Sequence, residues 1–355
     1  MPIFKYPVAK PQVDGNELKY LTEAIKKNEI SWRGEFVDRF ENNFAKRHDC
    51  KYGVATTSGT TALTLAVAAL SIGEGDEVIV PEFTMVASAW AVTYNRAKPV
   101  FVDCGDDLLI DVKKIEEKIT KKTKAIIPVH IFGRQCNMSE ILRIAAKYNL
   151  RVIEDAALAH GMEIQGDIGC YAFFANKIMT AGEGGICITN NPYLEERLRY
   201  LKNMAFDENH TFLHQELGFN FRMTNFQAAV LTAQLERLDE FLEKRKQIEE
   251  WYNEELENIK EITVMPKRRL LWMYDILAEK KDELVEFLTK EGIETRHFFK
   301  PMSMQPMYYD HTYTDLMAYV HSLRGLYLPT YTKLKEEDIK YICGKIKQFY
   351  ANATN

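Results

Sequence analysis

The chain has 355 residues, long enough for two domains that each bury a core, and 46% hydrophobic with 27% charged residues is the balance of an ordinary globular protein. A net charge of −5 with no sustained basic stripe argues against nucleic acid or an anionic membrane as a partner. Six scattered cysteines with no CxxC pair read as reduced thiols, the first residues (MPIFKYPVAKPQVDGNE) have no apolar signal core, and nothing downstream is long enough to span a bilayer, so a cytoplasmic location is expected.

Residues 1–15 read as extended and proline-punctuated. The spacing of Leu18, Leu21, Ala24 and Ile25 predicts a helix over 16–28, and Phe36, Phe40 and Phe44 predict a second one ending near His48 and Asp49. A strand is expected at 52–57. Ser58-Gly59-Thr60-Thr61 then opens a helix that is apolar nearly all round and therefore buried. Short apolar runs at 77–80, 99–102, 125–129 and 151–154 alternate with helical patterns at 85–94, 111–119 and 139–148. That alternation predicts a largely parallel sheet covered on both faces. Strands at 171–174 and 186–189 flank a lysine-bearing loop. Leu238, Phe241, Leu242, Ile248, Tyr252, Leu256 and Ile259 form one stripe of a long charged helix, and the boundary between a large domain (1–240) and a small one (241–355) is placed there. The small domain reads as strand 272–277, helix 281–290, extended segment 293–299 and helix 336–350, an α+β layer. Residues 300–329 give little local signal.

Four stretches carry candidate chemistry, each at a strand end or a helix start, where open α/β sheets place ligands. In AFFANKIMTAGEGG, Lys177 sits among Phe173, Phe174, Ile178 and Met179. It is either a surface residue or one whose pKa burial lowers, leaving a neutral amine able to attack a carbonyl. In TSGTTAL, Gly59 and Thr60 at a helix N-terminus offer a phosphate site or a plain cap. In RVIEDAALAHG, an apolar strand ends in Glu154 and Asp155, and a carboxylate there can hold a pyridinium nitrogen protonated or serve as a cap or ion pair. In GFNFRMTN, Asn220, Arg222 and Asn225 alternate with apolar residues, which suits a buried polar network or a subunit interface, while Thr224 or Asn225 reads as a helix cap. Neither GxGxxG nor GxxxxGK[ST] occurs. His210 and His214 have i,i+4 spacing but no third ligand nearby, so no metal site is expected.

Taken in order, SGTTAL, PVHIFG, VIEDAA, NKIMTAGEGG and GFNFRMTNFQAA resemble the DegT/DnrJ/EryC1/StrS sugar aminotransferase family over nearly the whole chain. The resemblance implies an aspartate-aminotransferase-like (fold type I) α/β large domain, with a mostly parallel mixed sheet covered by helices, plus a smaller α+β C-terminal domain. It implies pyridoxal 5'-phosphate as cofactor, Lys177 as its covalent anchor and Asp155 as partner of the ring nitrogen. Ser58, Gly59 and Thr60 would hold the phosphate, Met85 would lie near the ring face, and Asn220 would reach the cofactor phosphate of a neighbouring subunit in a homodimer with shared active sites. L-glutamate would be the amino donor and a nucleotide-linked keto sugar the acceptor, aminated at C4 to a perosamine- or viosamine-type product. Amination at C3, or a non-catalytic binding or regulatory role, are the alternatives. Retained Lys177 argues against the related dehydratases, which carry histidine there. Four positions depart from the family pattern: Leu158 replaces a polar residue, Ala172 a phosphate-binding serine, Met85 an aromatic residue and Trp90 an asparagine.

Overall fold

Two amphipathic helices, α1 (Glu17–Lys26) and α2 (Glu35–Arg47), open the ordered chain. Phe36, Phe40 and Phe44 lie on the inward face of α2 and are fully buried, as their four-residue spacing requires. The computed structural model describes residues 4–207 and 211–353. From β1 (Tyr52–Thr56) the chain enters α3 (Gly59–Ala69), β2 (Glu77–Pro81), α4 (Ala87–Tyr94) and β3 (Lys98–Val102). The helix expected at 111–119 is a 3-10 turn (Val112–Lys114), at whose start the Asp111 carboxylate accepts from Lys113 N, followed by the four-residue α5 (Ile115–Lys118). β4 (Thr123–Ile126), α6 (Met138–Tyr148), β5 (Arg151–Asp155), β6 (Ile168–Ala172) and β7 (Gly185–Thr189) follow.

The first sheet has the order β1-β7-β6-β5-β4-β2-β3. β3, β2, β4, β5 and β6 run parallel, whereas β7 is antiparallel to both β6 and β1. The carboxyl ends of the parallel strands therefore share one edge, and Asp155 ends β5 on it. β6 begins three residues before the expected strand and stops at Ala172, where the lysine loop departs.

Helix α7 (Pro192–Lys202) was not expected, although its start is legible: Asn191 caps Tyr193 N and Leu194 N, and proline takes the first turn. α8 (Asn225–Glu236) starts from a capping box in which Thr224 and Gln227 bond reciprocally. Along α9 (Leu238–Leu256), Leu238 and Phe241 pack into the core of the first sheet, and Ile248, Tyr252 and Leu256 into a second core. That second core belongs to an antiparallel sheet, β10-β11-β9-β8, made by β8 (Ile262–Val264), β9 (Tyr274–Ala278), β10 (Arg296–His297) and β11 (Gly325–Leu328). α10 (Lys281–Lys290) and α12 (Glu336–Ala353) cover it, with 3-10 turns and α11 (Met317–Arg324) filling the segment of weak local signal. Among the described residues no helix is long and apolar enough to cross a membrane, and no cluster of three or more His, Cys, Asp or Glu could hold a metal. His210 lies outside the described residues, and His214 Nδ1 meets the carbonyl of Met204 at 2.7 Å.

Candidate active site

At the end of β6 the chain enters a loop pinned to itself. Phe173 N donates to Gly184 O, while Thr180 Oγ1 and Ala181 N donate to Phe173 O. Within the loop Lys177 N donates to Phe174 O, turning the lysine inward. Lys177 is half-buried and has no hydrogen-bond or ion-pair partner among the described residues; its Nζ lies 5.0 Å from the ring centroid of Trp272. Burial pushes its pKa down to about 8, and the carboxylate of Asp155 opposes that fall.

Strand alternation sends the two acids of β5 in different directions. Glu154 meets His130 Nε2 at 2.8 Å and accepts from the amides of Gln165 and Gly166, so it organises a buried turn. Asp155 is buried, accepts from Ser88 Oγ at 2.7 Å and from Ala157 N at 3.1 Å, and its pKa is raised by burial. It is within electrostatic reach of Lys177.

The third part is the N-terminus of α3. Ser58 caps it through a capping box with Thr61, leaving the Gly59 and Thr60 amides without a carbonyl one turn back and without a partner among the described residues. Both residues are half-buried, so the amides open to the site edge. Gly59 is needed for contact rather than conformation: a Cβ there would lie 2.5 Å from the Cβ of Ala172. The methyl of Ala172 thus walls the cradle where the family pattern has a hydroxyl. Arg222 pairs with Thr56 as a backbone bridge, which brings GFNFRMTN to the same end of β1, and Asn220 is exposed, its side chain making no hydrogen bond among the described residues. Asn225 is instead structural, its amide bridging Glu29 O and the start of α2.

Of the divergent positions, Leu158 is buried in the core and Met85 is 54% exposed. Trp90 packs toward Tyr94, with centroids 6.2 Å apart. In the small domain, Phe298 turns into an aromatic seam with Phe83 and Phe132, while Arg296 and His297 stay outside. Three site residues had no role in the sequence reading. Ser88 touches Asp155 from 67 positions away. Trp272 reads only as a strand start. His160, buried and held neutral by that burial, bonds the carbonyl of Ala172 at 2.9 Å and so fixes the end of β6. Only His160 sits inside a motif that could have flagged it.

The seven-stranded mixed sheet, the small antiparallel domain and a lysine loop at the strand ends are the architecture of fold-type-I pyridoxal-phosphate enzymes. An aminotransferase from Psychrobacter cryohalolentis has a similar structure, with a TM-score of 0.88 at 27% identity and 100% of both chains covered. Residues 11–347 match the DegT/DnrJ/EryC1/StrS aminotransferase family, and the chain belongs to it. It is 38% identical to a GDP-perosamine synthase of Escherichia coli over 98% of this chain and 99% of that protein. To a GDP-perosamine synthase of Caulobacter vibrioides it is 41% identical, over 96% and 97%.

These groups fit pyridoxal phosphate. The bare amides of α3 match a phosphate, the buried carboxylate of Asp155 matches a cationic ring nitrogen, and the unbonded amine of Lys177 matches an aldehyde.

Proposed function

We propose that this aminotransferase moves an amino group from L-glutamate to C4 of a 4-keto-6-deoxy sugar carried on a nucleotide, giving a perosamine- or viosamine-type product. Pyridoxal 5'-phosphate is its cofactor and Lys177 the anchor. The observation that carries this reading is the amine of Lys177, without a hydrogen-bond or ion-pair partner among the described residues and within electrostatic reach of the buried carboxylate of Asp155. Likeness to the two GDP-perosamine synthases supports the choice of C4.

When bound, the cofactor supplies an aldehyde that takes up amines and a ring that draws electrons from the carbon beside the nitrogen. The rest is the work of the chain. Gly59 and Thr60 amides, with the hydroxyls of Ser58 and Thr60, receive the phosphate, and the helix dipole favours its charge. Asp155, aimed by Ser88 and Ala157 N, keeps a proton on the ring nitrogen. This relieves its own burial, since a buried carboxylate without a cation is costly. Lys177 Nζ moves the proton between the donor and acceptor carbons, and a pKa near 8 lets it both take and return that proton near neutrality. The thioether of Met85 packs at the ring edge. Asn220 reaches the cofactor phosphate of a second subunit, so the working unit is a homodimer. Its six cysteines are free and buried, which suits a reducing cytoplasm.

Two measurements test this. Protein loaded with pyridoxal phosphate turns yellow, and borohydride fixes the cofactor on the peptide containing Lys177; a protein that stays colourless overturns the assignment. A panel of 4-keto-6-deoxy nucleotide sugars incubated with glutamate gives a product whose amino group NMR places at C4, and an amine at C3 refutes the substrate proposal.

A further inference from the structure

In the proposed reaction Lys177 leaves the cofactor whenever a substrate amine takes its place, and a free amine on a flexible stem then needs a defined seat. Trp272, from the small domain, is the group beneath it. The indole is 2% exposed, its Nε1–H donates to Asn176 O at 2.9 Å, and its ring lies under Lys177 Nζ at 5.0 Å. One residue thus holds both the backbone before the lysine and the end of its side chain.

Trp272 is itself fixed from several sides. Its ring stacks on Phe132, with centroids 5.6 Å apart and planes at 22°. Phe132 takes the left-handed region (φ 51°), where a bulky residue is strained, and the next residue, Gly133, accepts from the amides of Arg269 and Leu270 through its carbonyl. The PVHIFG turn therefore clamps the segment that leads into Trp272. On its backbone side the carbonyl of Trp272 accepts from Arg245, a buried guanidinium on α9 with no carboxylate partner among the described residues.

We propose that Trp272 is the positioning residue of Lys177, its N–H setting the backbone at Asn176 and its π face seating the ammonium whenever the lysine is not joined to the cofactor. This rests on Lys177 being the catalytic lysine. An indole face attracts a cation, so the seat opposes the downward push of burial and keeps part of the lysine population protonated and in place.

The test reads Lys177 in cofactor-free protein, by the pH dependence of its acylation with limiting acetic anhydride, quantified by mass spectrometry of the Lys177 peptide. Replacing Trp272 with tetrafluorotryptophan keeps shape and N–H but depletes the π face. The labelling midpoint then falls by roughly half a pH unit or more, the size a cation–π contact carries. Trp272→Phe keeps a weaker π face and loses the donor: its midpoint falls by less than with tetrafluorotryptophan, while kcat drops several-fold at unchanged KM for glutamate, on the order of one hydrogen bond. An unchanged midpoint with tetrafluorotryptophan, or a Trp272→Phe enzyme with parental kcat, overturns the proposal. Failure of borohydride to fix cofactor on Lys177 in the parent protein would instead remove the reading it rests on.

Discussion

Gly59→Ala isolates the phosphate cradle from the rest of the site. The added Cβ would stand 2.5 Å from Ala172 Cβ, about 1 Å inside the ~3.5–4.0 Å optimum for carbon pairs, and 3.3 Å from Ala172 Cα, just short of it. Neither atom can rotate away, because both are fixed to backbone, one at the start of α3 and the other at the end of β6. The helix gains about 1 kcal/mol from replacing glycine, whereas forced overpacking costs about 1–3 kcal/mol, so overpacking wins and the start of α3 shifts. Losing one charge-assisted amide contact to phosphate costs about 1.5–3 kcal/mol, which weakens cofactor binding about 10- to 100-fold. Titration of cofactor-free protein with pyridoxal phosphate, followed by visible absorbance, measures it. Gly344→Ala is the control: it has nothing within 4 Å and lies inside α12, so it gains about 0.5–1 kcal/mol of stability and leaves affinity alone. A Gly59→Ala protein binding within about twofold of the parent would refute the cradle.

The same geometry predicts three further outcomes. Lys177→Met raises the melting temperature of the cofactor-free protein at pH 7. A lysine lowered from 10.5 to about 8 is destabilising as a cation below 8 and is relieved as pH rises toward 10.5, so the difference of about 3 kcal/mol closes across that window in pH-dependent calorimetry. Asp155→Asn removes the one charge that supports the ammonium, so the acylation midpoint of Lys177 falls below about 8 and turnover collapses; a midpoint that rises would contradict the pairing. Gly133→Ala combines a left-handed backbone (φ +83°) with a Cβ 2.0 Å from Leu270 O and costs about 3 kcal/mol, read by urea unfolding; a loss below about 1 kcal/mol would mean the turn is not a clamp.

Local signals made much of the fold legible. The phenylalanine spacing of α2, the all-round apolar α3 and the short apolar strands each reflect a period that neighbouring residues set. The placement of Lys177, Asp155 and Gly59 at strand ends and a helix start was readable for the same reason. The antiparallel insertion of β7 between β6 and β1 was not, since pairing partners lie far apart in sequence and a short apolar strand reads alike in either direction. β8 and β11 are short, and the second sheet rather than their own pattern makes them strands.

The sequence by itself determined which groups can do the chemistry: a lysine before a glycine loop, an acid ending a strand, bare amides where serine and glycine start a helix. Folding decided what those groups become. Burial tunes Lys177, Ser88 aims Asp155, and Ala172 closes on Gly59. Trp272 reaches the lysine loop from 96 positions beyond Asn176. Desolvation and π contact depend on what surrounds an atom, and those surroundings come from segments that meet only in the folded chain.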